Sequence, residues 1–220
     1  MRKFDTTAPI TAVLDVPAGR VRIVAGDEAV TTVEVLPADA AKGRDVKAAE
    51  QTAVEYADGV LRIQGPTGNQ YFGASGALAV TVGLPAGSRV EATTASVEFT
   101  TAGRLGDVAY EGAHGTVAVE DAASVTLTTA AGDVEIGRLG GSARITVSKG
   151  DIRIAEASAG TVELSTRDGD VSVGAAAGVS ASLDAGTPNG RIVNELRNDG
   201  DTRLDIRATS ANGDITARSL

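Results

Sequence analysis

The sequence predicts an all-β protein: a right-handed parallel β-solenoid of roughly 20-residue rungs, with a more irregular N-terminal β-rich part containing a hairpin and one short helix. An internal repeat, apolar/polar alternation within each repeat, and a composition suited to a thin core carry that expectation. From about Val125 onward, five stretches line up: VTLTTAAGDVEI, ITVSKGDIRI, VELSTRDGDVSV, ASLDAGTPNGRIV and LDIRATSANGDITA. Each is an alternating run, a polar turn, a glycine with an acidic or polar neighbour, and a second alternating run. The turn glycines Gly132, Gly150, Gly169, Gly190 and Gly213 recur at intervals that drift from 18 to 23 residues. A fixed period with drifting loop length marks stacked repeats.

Alternation names the inward set. Ile145 and Val147 precede one turn and Ile152 and Ile154 follow it; one rung later the set is Val162 and Leu164, then Val171 and Val173. Period 2 places each pair on one face of a strand, and outward positions carry Thr146, Arg153, Glu163 and Ser172. A second turn closes each rung at Gly140-Gly141, Ala159-Gly160 and Ala177-Gly178. Two short strands and two turns per rung make neighbouring rungs parallel, and parallel crossovers are overwhelmingly right-handed. Aromatics are only 3% of the chain, against 27 glycines in 220 residues, so the core is built of small and β-branched side chains.

The N-terminal part is less regular. Residues 11–23 (TAVLDVPAGRVRI) read as strand, turn, strand, with Pro17-Ala18-Gly19 as the turn. TTVEVL is a third strand, stopped at Pro37. Residues 38–51 tolerate one short helix, with Asp45 as its N-cap. In AVEYADGVLRI, Asp58-Gly59 between alternating runs is a hairpin signal, because that turn needs positive φ. GPTGNQYFGASG is a loop, with Tyr71 and Phe72 either a small anchor onto the core, the favoured reading, or an exposed contact. Pro85-Ala86-Gly87 repeats the earlier Pro-Ala-Gly, and Gly106-Asp107 precedes Val108 as later Gly-Asp pairs precede their strands. Gly106 and Gly132 are 26 residues apart, too long for one rung and too short for two, so the register there is open. Residues 1–90 are expected to form an N-terminal cap region and residues 91–220 the solenoid.

Chemistry is sparse. The net charge of −9 argues against nucleic acid and anionic lipid, both of which want clustered Lys and Arg. No cysteine is present, which removes disulfides and thiolate chemistry. The repeated Gly-Asp lacks the extra glycines of calcium-binding nonapeptides, and its simpler reading is a turn in which Gly supplies positive φ and Asp satisfies amides. His114, the single histidine, has no nucleophile or carboxylate partner placed beside it. Glu120-Asp121 and Asp168/Asp170 are close carboxylate pairs of the kind glycan-cleaving β-helices use, but they fall in expected turns and aromatics are scarce. No catalytic residue, cofactor or metal site is expected. The start MRKFDTTAPITAVLDV is not a signal peptide, since Asp5 and Asp15 interrupt any apolar core. With no apolar run near the ~20 residues of a membrane span, the expected location is the cytoplasm.

FDTTAPITAVLDVPAGRVRIVAGD, AAEQTAVEYADGVLRIQGP, LPAGSRVEATTASVEFTTAGRLGDV and ANGDITARSL together resemble the DUF4097 β-strand repeat proteins, also called the Toastrack domain and labelled "putative adhesin". The resemblance covers nearly the whole chain. It implies a β-solenoid without established catalytic residues, and a scaffold or interaction role, since some relatives carry membrane anchors or occur in envelope-stress systems. The leading functional expectation is a non-enzymatic scaffold or protein-interaction module. Its partner is a protein or a second copy docked on the C-terminal edge around Ile215, where ITARSL shows no cap. The alternative is an adhesin recognising a surface glycan or protein.

Overall fold

The computed structural model describes residues 1–66 and 76–220; Tyr71 and Phe72 lie outside them. The chain forms two compact units, Met1–Gly115 and Thr116–Leu220. The first carries β1 (Arg2–Asp5), β2 (Thr11–Gly26), β3 (Val30–Pro37), α1 (Gly43–Gln51), β4 (Ala53–Ala57), β5 (Val60–Gln64), β6 (Leu78–Pro85), β7 (Arg89–Ala102) and β8 (Arg104–His114). The second carries β9 (Val117–Ala131), β10 (Val134–Leu139), β11 (Ala143–Lys149), β12 (Ile152–Ala157), β13 (Gly160–Asp168), β14 (Val171–Ala175), β15 (Ala181–Gly186), β16 (Ile192–Glu195), β17 (Leu204–Asn212) and β18 (Ile215–Ser219).

In the first unit β2 is the spine. One flank pairs in parallel with β5 along its first half and β6 along its second, and the other flank pairs with β7 along its length. Pro17-Ala18-Gly19 is therefore a bend inside one strand, not a turn between two. Pro17 is skipped in the β7 register, as a residue without an amide donor must be. Gly19 takes φ +121° where a Cβ would stand 1.9 Å from the Leu78 carbonyl oxygen. Pro85-Ala86-Gly87 is a true turn, closed by the Ser88 hydroxyl on the Pro85 carbonyl at 2.6 Å. Gly106-Asp107 also departs from expectation: it lies within β8, and the Gly106 amide bonds to the Ser88 carbonyl. The position matching Gly132 is instead Gly115, since each stands two residues before the paired Val134 and Val117. That settles the open register.

Antiparallel strands finish this unit. β3 runs antiparallel on β6, β1 on β3, and β4 on β5 through the Asp58-Gly59 hairpin, where both residues have positive φ. Helix α1 packs against β3 and β6. Its N-cap is Lys42, without a side-chain cap bond, rather than Asp45. Asp45 sits in the first turn, only 2% exposed, and its carboxylate accepts the Ala77 amide at 3.0 Å. That bond ties the start of β6 to the helix, so the acid is spent on tertiary packing instead of on the helix's own amides.

The second unit is a stack of parallel rungs in two rows. One row runs β9–β10–β12–β14–β18–β16 and the other β9–β11–β13–β17–β15, with long β9 contributing to both. Chain order and spatial order part company at the end. The last two strands insert between the rung of β13/β14 and the rung of β15/β16. Ile215 lies between Val171 and Ile192 and is 1% exposed. The expected C-terminal docking edge is thus interior. Among the described residues of the second unit, the strands paired on one side only are β15 and β16, which are short and carry Asp184, Asn194 and Glu195, as blunted edges do.

The core follows from alternation. Ile136, Ile154, Val173 and Ala217 stand in register, all at most 1% exposed. Leu127, Ile145, Leu164 and Ala208 stand in register in the other row, at most 2% exposed. Each buried aliphatic contributes roughly 1.5–3 kcal/mol. Ile145 stands beside Leu164, and Val147 beside Thr166. This admits hydroxyls into the stack. Thr166 donates to the Gly150 carbonyl at 3.0 Å and Ser210 to the Gly169 carbonyl at 2.8 Å.

Candidate functional site

The Gly-Asp turns form a continuous ladder. Asp133 Oδ1 accepts the Asp151 amide (2.9 Å), Asp151 Oδ1 the Asp170 amide (2.8 Å), Asp170 Oδ1 the Asp214 amide (2.7 Å), and Asp214 Oδ1 the Arg191 amide (2.8 Å). Every aspartate in the series is committed to the amide of the next rung. At Arg191, on the outermost rung, there is no further amide to receive, and the acid is replaced by a base whose guanidinium lies 3.8 Å from Asp214.

The other sequence-flagged residues do not converge. His114 is exposed at the end of β8, opposite Ser96. Asp121 is bridged by Arg138 at 3.0 Å, and Glu120 precedes it on β9. Asp168 accepts from the Asn212 amide group at 2.7 Å, whereas Asp170 serves the ladder. Among the described residues, no group of three or more His, Asp or Glu side chains is arranged to hold a metal ion, and no helix is long and apolar enough to cross a membrane.

The feature that alternation alone did not reveal is a trough on the outward face of the row β9–β11–β13–β17–β15. Its main recess encloses about 610 Å³. An adjoining one of about 470 Å³ shares Arg144 and Glu163 with it. Two rows of side chains run across the strands. Register places Arg144 beside Glu163, Glu163 beside Arg207, and Arg207 beside Asp184. Two residues along, it places Thr128 beside Thr146, then Ser165, Thr209 and Gly186.

The charged row is held by one carboxylate. Glu163 takes Arg144 at 2.8 Å on Oε2 and Arg207 at 3.4 Å on Oε1. Both arginine side chains are more than 60% exposed, so these bridges add little stability. What they do is fix two guanidinium forks at neighbouring rungs, with hydroxyls alongside; Thr209 donates to Ser165 at 3.1 Å. Asp184, opposite Arg207, forms the rim on the outermost rung. Positive and negative groups balance across the trough. Outside the trough, burial pushes Tyr110 up, opposed by its hydrogen bond with Thr94, and the Ala41 amide and Lys42 hold Asp39 down. The trough therefore offers paired donors and acceptors to a polar ligand.

A β-strand-repeat stack whose turn acids bond the amides of successive rungs, and whose outward face is recessed, defines an architectural class. The chain belongs to the Toastrack DUF4097 family, whose model matches residues 13–219. Among curated proteins, none matches it. Among solved structures it is similar to a "putative adhesin" of Bacteroides fragilis, with a TM-score of 0.58, 12% identity, and 100% of this chain and 95% of that one covered. It is also similar to a "putative cell adhesion protein" of Clostridium sporogenes (TM-score 0.48, 12% identity, covering 98% and 94%) and a "putative lipid binding protein" of Parabacteroides distasonis (TM-score 0.45, 13% identity, covering 98% and 95%). The Bacteroides fragilis structure shares the fold.

Proposed function

We propose that the protein is a non-enzymatic interaction module that binds its partner on the outward face of the second unit. The observation that carries this reading is the trough: a recess of about 610 Å³ floored by sheet and lined by guanidinium, carboxylate and hydroxyl groups. The inward positions are filled by aliphatic side chains and the turn acids are occupied in the ladder, which leaves the outward faces to meet a partner. The adhesin descriptions of similar structures are compatible with a binding role, and the scaffold role expected from the sequence needs the same exposed face.

Co-sedimentation with separated polysaccharide, protein and lipid fractions of a cell envelope tests it, with products assayed in parallel. Saturable binding to one fraction is expected, weakened in Glu163→Ala, with no product released. Turnover of any fraction, or binding indifferent to Glu163→Ala, contradicts the proposal. Cell fractionation separates a cytoplasmic scaffold from an exported binding protein.

A further inference from the structure

We infer that the trough receives a linear, uncharged polysaccharide laid across the rungs, parallel to the stacking direction. This rests on the outward face being the binding surface. Neighbouring rungs are about 4.8 Å apart, so the rows of Arg144, Glu163 and Arg207 and of Thr146, Ser165 and Thr209 each repeat a polar group at that spacing. A chain of pyranose rings advances by a similar step, so successive sugars meet a polar side chain on each successive rung. An extended peptide advances by only about 3.2–3.4 Å per residue and drifts out of phase. A peptide also binds most readily by adding to a sheet edge, whereas the backbone amides beneath this trough are already paired with both neighbouring strands in β11, β13 and β17.

Charge selects within the glycans. Arg144 and Arg207 are countered by Glu163 and Asp184, so the trough has no net field to attract a polyanion, and nucleic acid, which needs unopposed Lys and Arg, is disfavoured. Guanidinium forks and carboxylates both pair with vicinal hydroxyls, the former as donors and the latter as acceptors. With no aromatic side chain lining it, recognition rests on hydrogen bonds and the affinity is correspondingly modest.

The test is affinity electrophoresis of the full chain in gels carrying soluble linear polymers: hydroxyethylcellulose, mixed-linkage β-glucan, mannan, and polygalacturonate as the charged control. At least one neutral polymer retards the protein, and polygalacturonate does so less. Arg207→Gln weakens retardation by roughly tenfold or more, the loss of about one charge-assisted hydrogen bond, and Thr209→Val by roughly fivefold, the loss of a neutral one, while Arg62→Gln on the first unit leaves it unchanged. Circular dichroism confirms that the variants stay folded. Failure of every neutral polymer, preference for polygalacturonate, or retardation unaffected by both trough variants overturns the inference. If envelope protein or lipid still binds in a Glu163-dependent way, the glycan assignment alone falls and the binding face stands.

Discussion

The backbone amide of Asp214 donates to the carboxylate of Asp170 at 2.7 Å, although 44 residues separate them. The rung that follows Asp170 in sequence, carrying Gly190-Arg191, is pushed outward to receive the Asp214 carboxylate instead. One hydrogen bond thus records the insertion of the final rung. Asp170→Ala should cost about 1 kcal/mol, the worth of a typical hydrogen bond, while Asp170→Asn, which keeps the acceptor oxygen, should cost less than half of that. Urea denaturation of both variants checks this.

The turn glycines are not equivalent. A Cβ on Gly150 (φ +143°) would stand 2.3 Å from the Gly132 carbonyl oxygen, whereas one on Gly178 (φ +77°) would meet nothing within 4 Å. Gly178→Ala should cost only the left-handed backbone penalty, about 1–2 kcal/mol. Gly150→Ala adds a clash with a rigid neighbouring rung and should cost clearly more. Thermal melts of the two variants should rank in that order; equal losses would contradict the stacked-turn geometry.

Protection should not follow chain position. Termini usually fray, but β17 and β18 are paired on both sides whereas β15 and β16 are paired on one. Hydrogen exchange should find the Ile206, Ala208 and Ile215 amides slower than those of Leu183 and Val193. Faster exchange in the last strands would place them at an edge.

In the first unit, the buried Tyr110 hydroxyl shares a 2.8 Å hydrogen bond with Thr94. Burial raises its ionisation above the ordinary value of 10.0. The folded state holds the neutral phenol more tightly than the unfolded chain does, so this contribution is full below pH 10 and is lost as pH rises through the raised value. Tyr110→Phe should remove part of the alkaline loss of stability, while costing about 1 kcal/mol at neutral pH for the Thr94 bond. Denaturation at pH 8 and above pH 10 separates the two effects.

Strand content, the Asp58-Gly59 hairpin and the inward faces were legible because each is a local signal: period-2 alternation and a turn that needs positive φ. Rung order was not, because periodicity fixes what a rung looks like but not which rung it lies against. One signal did exist. Gly190 is followed by Arg191 where every other turn of the ladder has Asp, and an outermost rung has no further amide to receive. The bend at Gly19 was misread because a Pro-Ala-Gly turn and a Pro-Ala-Gly bend look alike until the partner strand is known. The trough was hidden for the same reason: Arg207 comes between Glu163 and Asp184 only once β17 is placed between β13 and β15.

The most direct measurement is a backbone-amide NMR titration of the full chain with the neutral polysaccharide that retards it most strongly. Shifts concentrated at Arg144, Thr146, Glu163, Ser165, Arg207 and Thr209 are predicted, with the first unit unmoved. Shifts confined to β16 and β18, or gathered on the first unit, would contradict a binding face on the row β9–β11–β13–β17–β15.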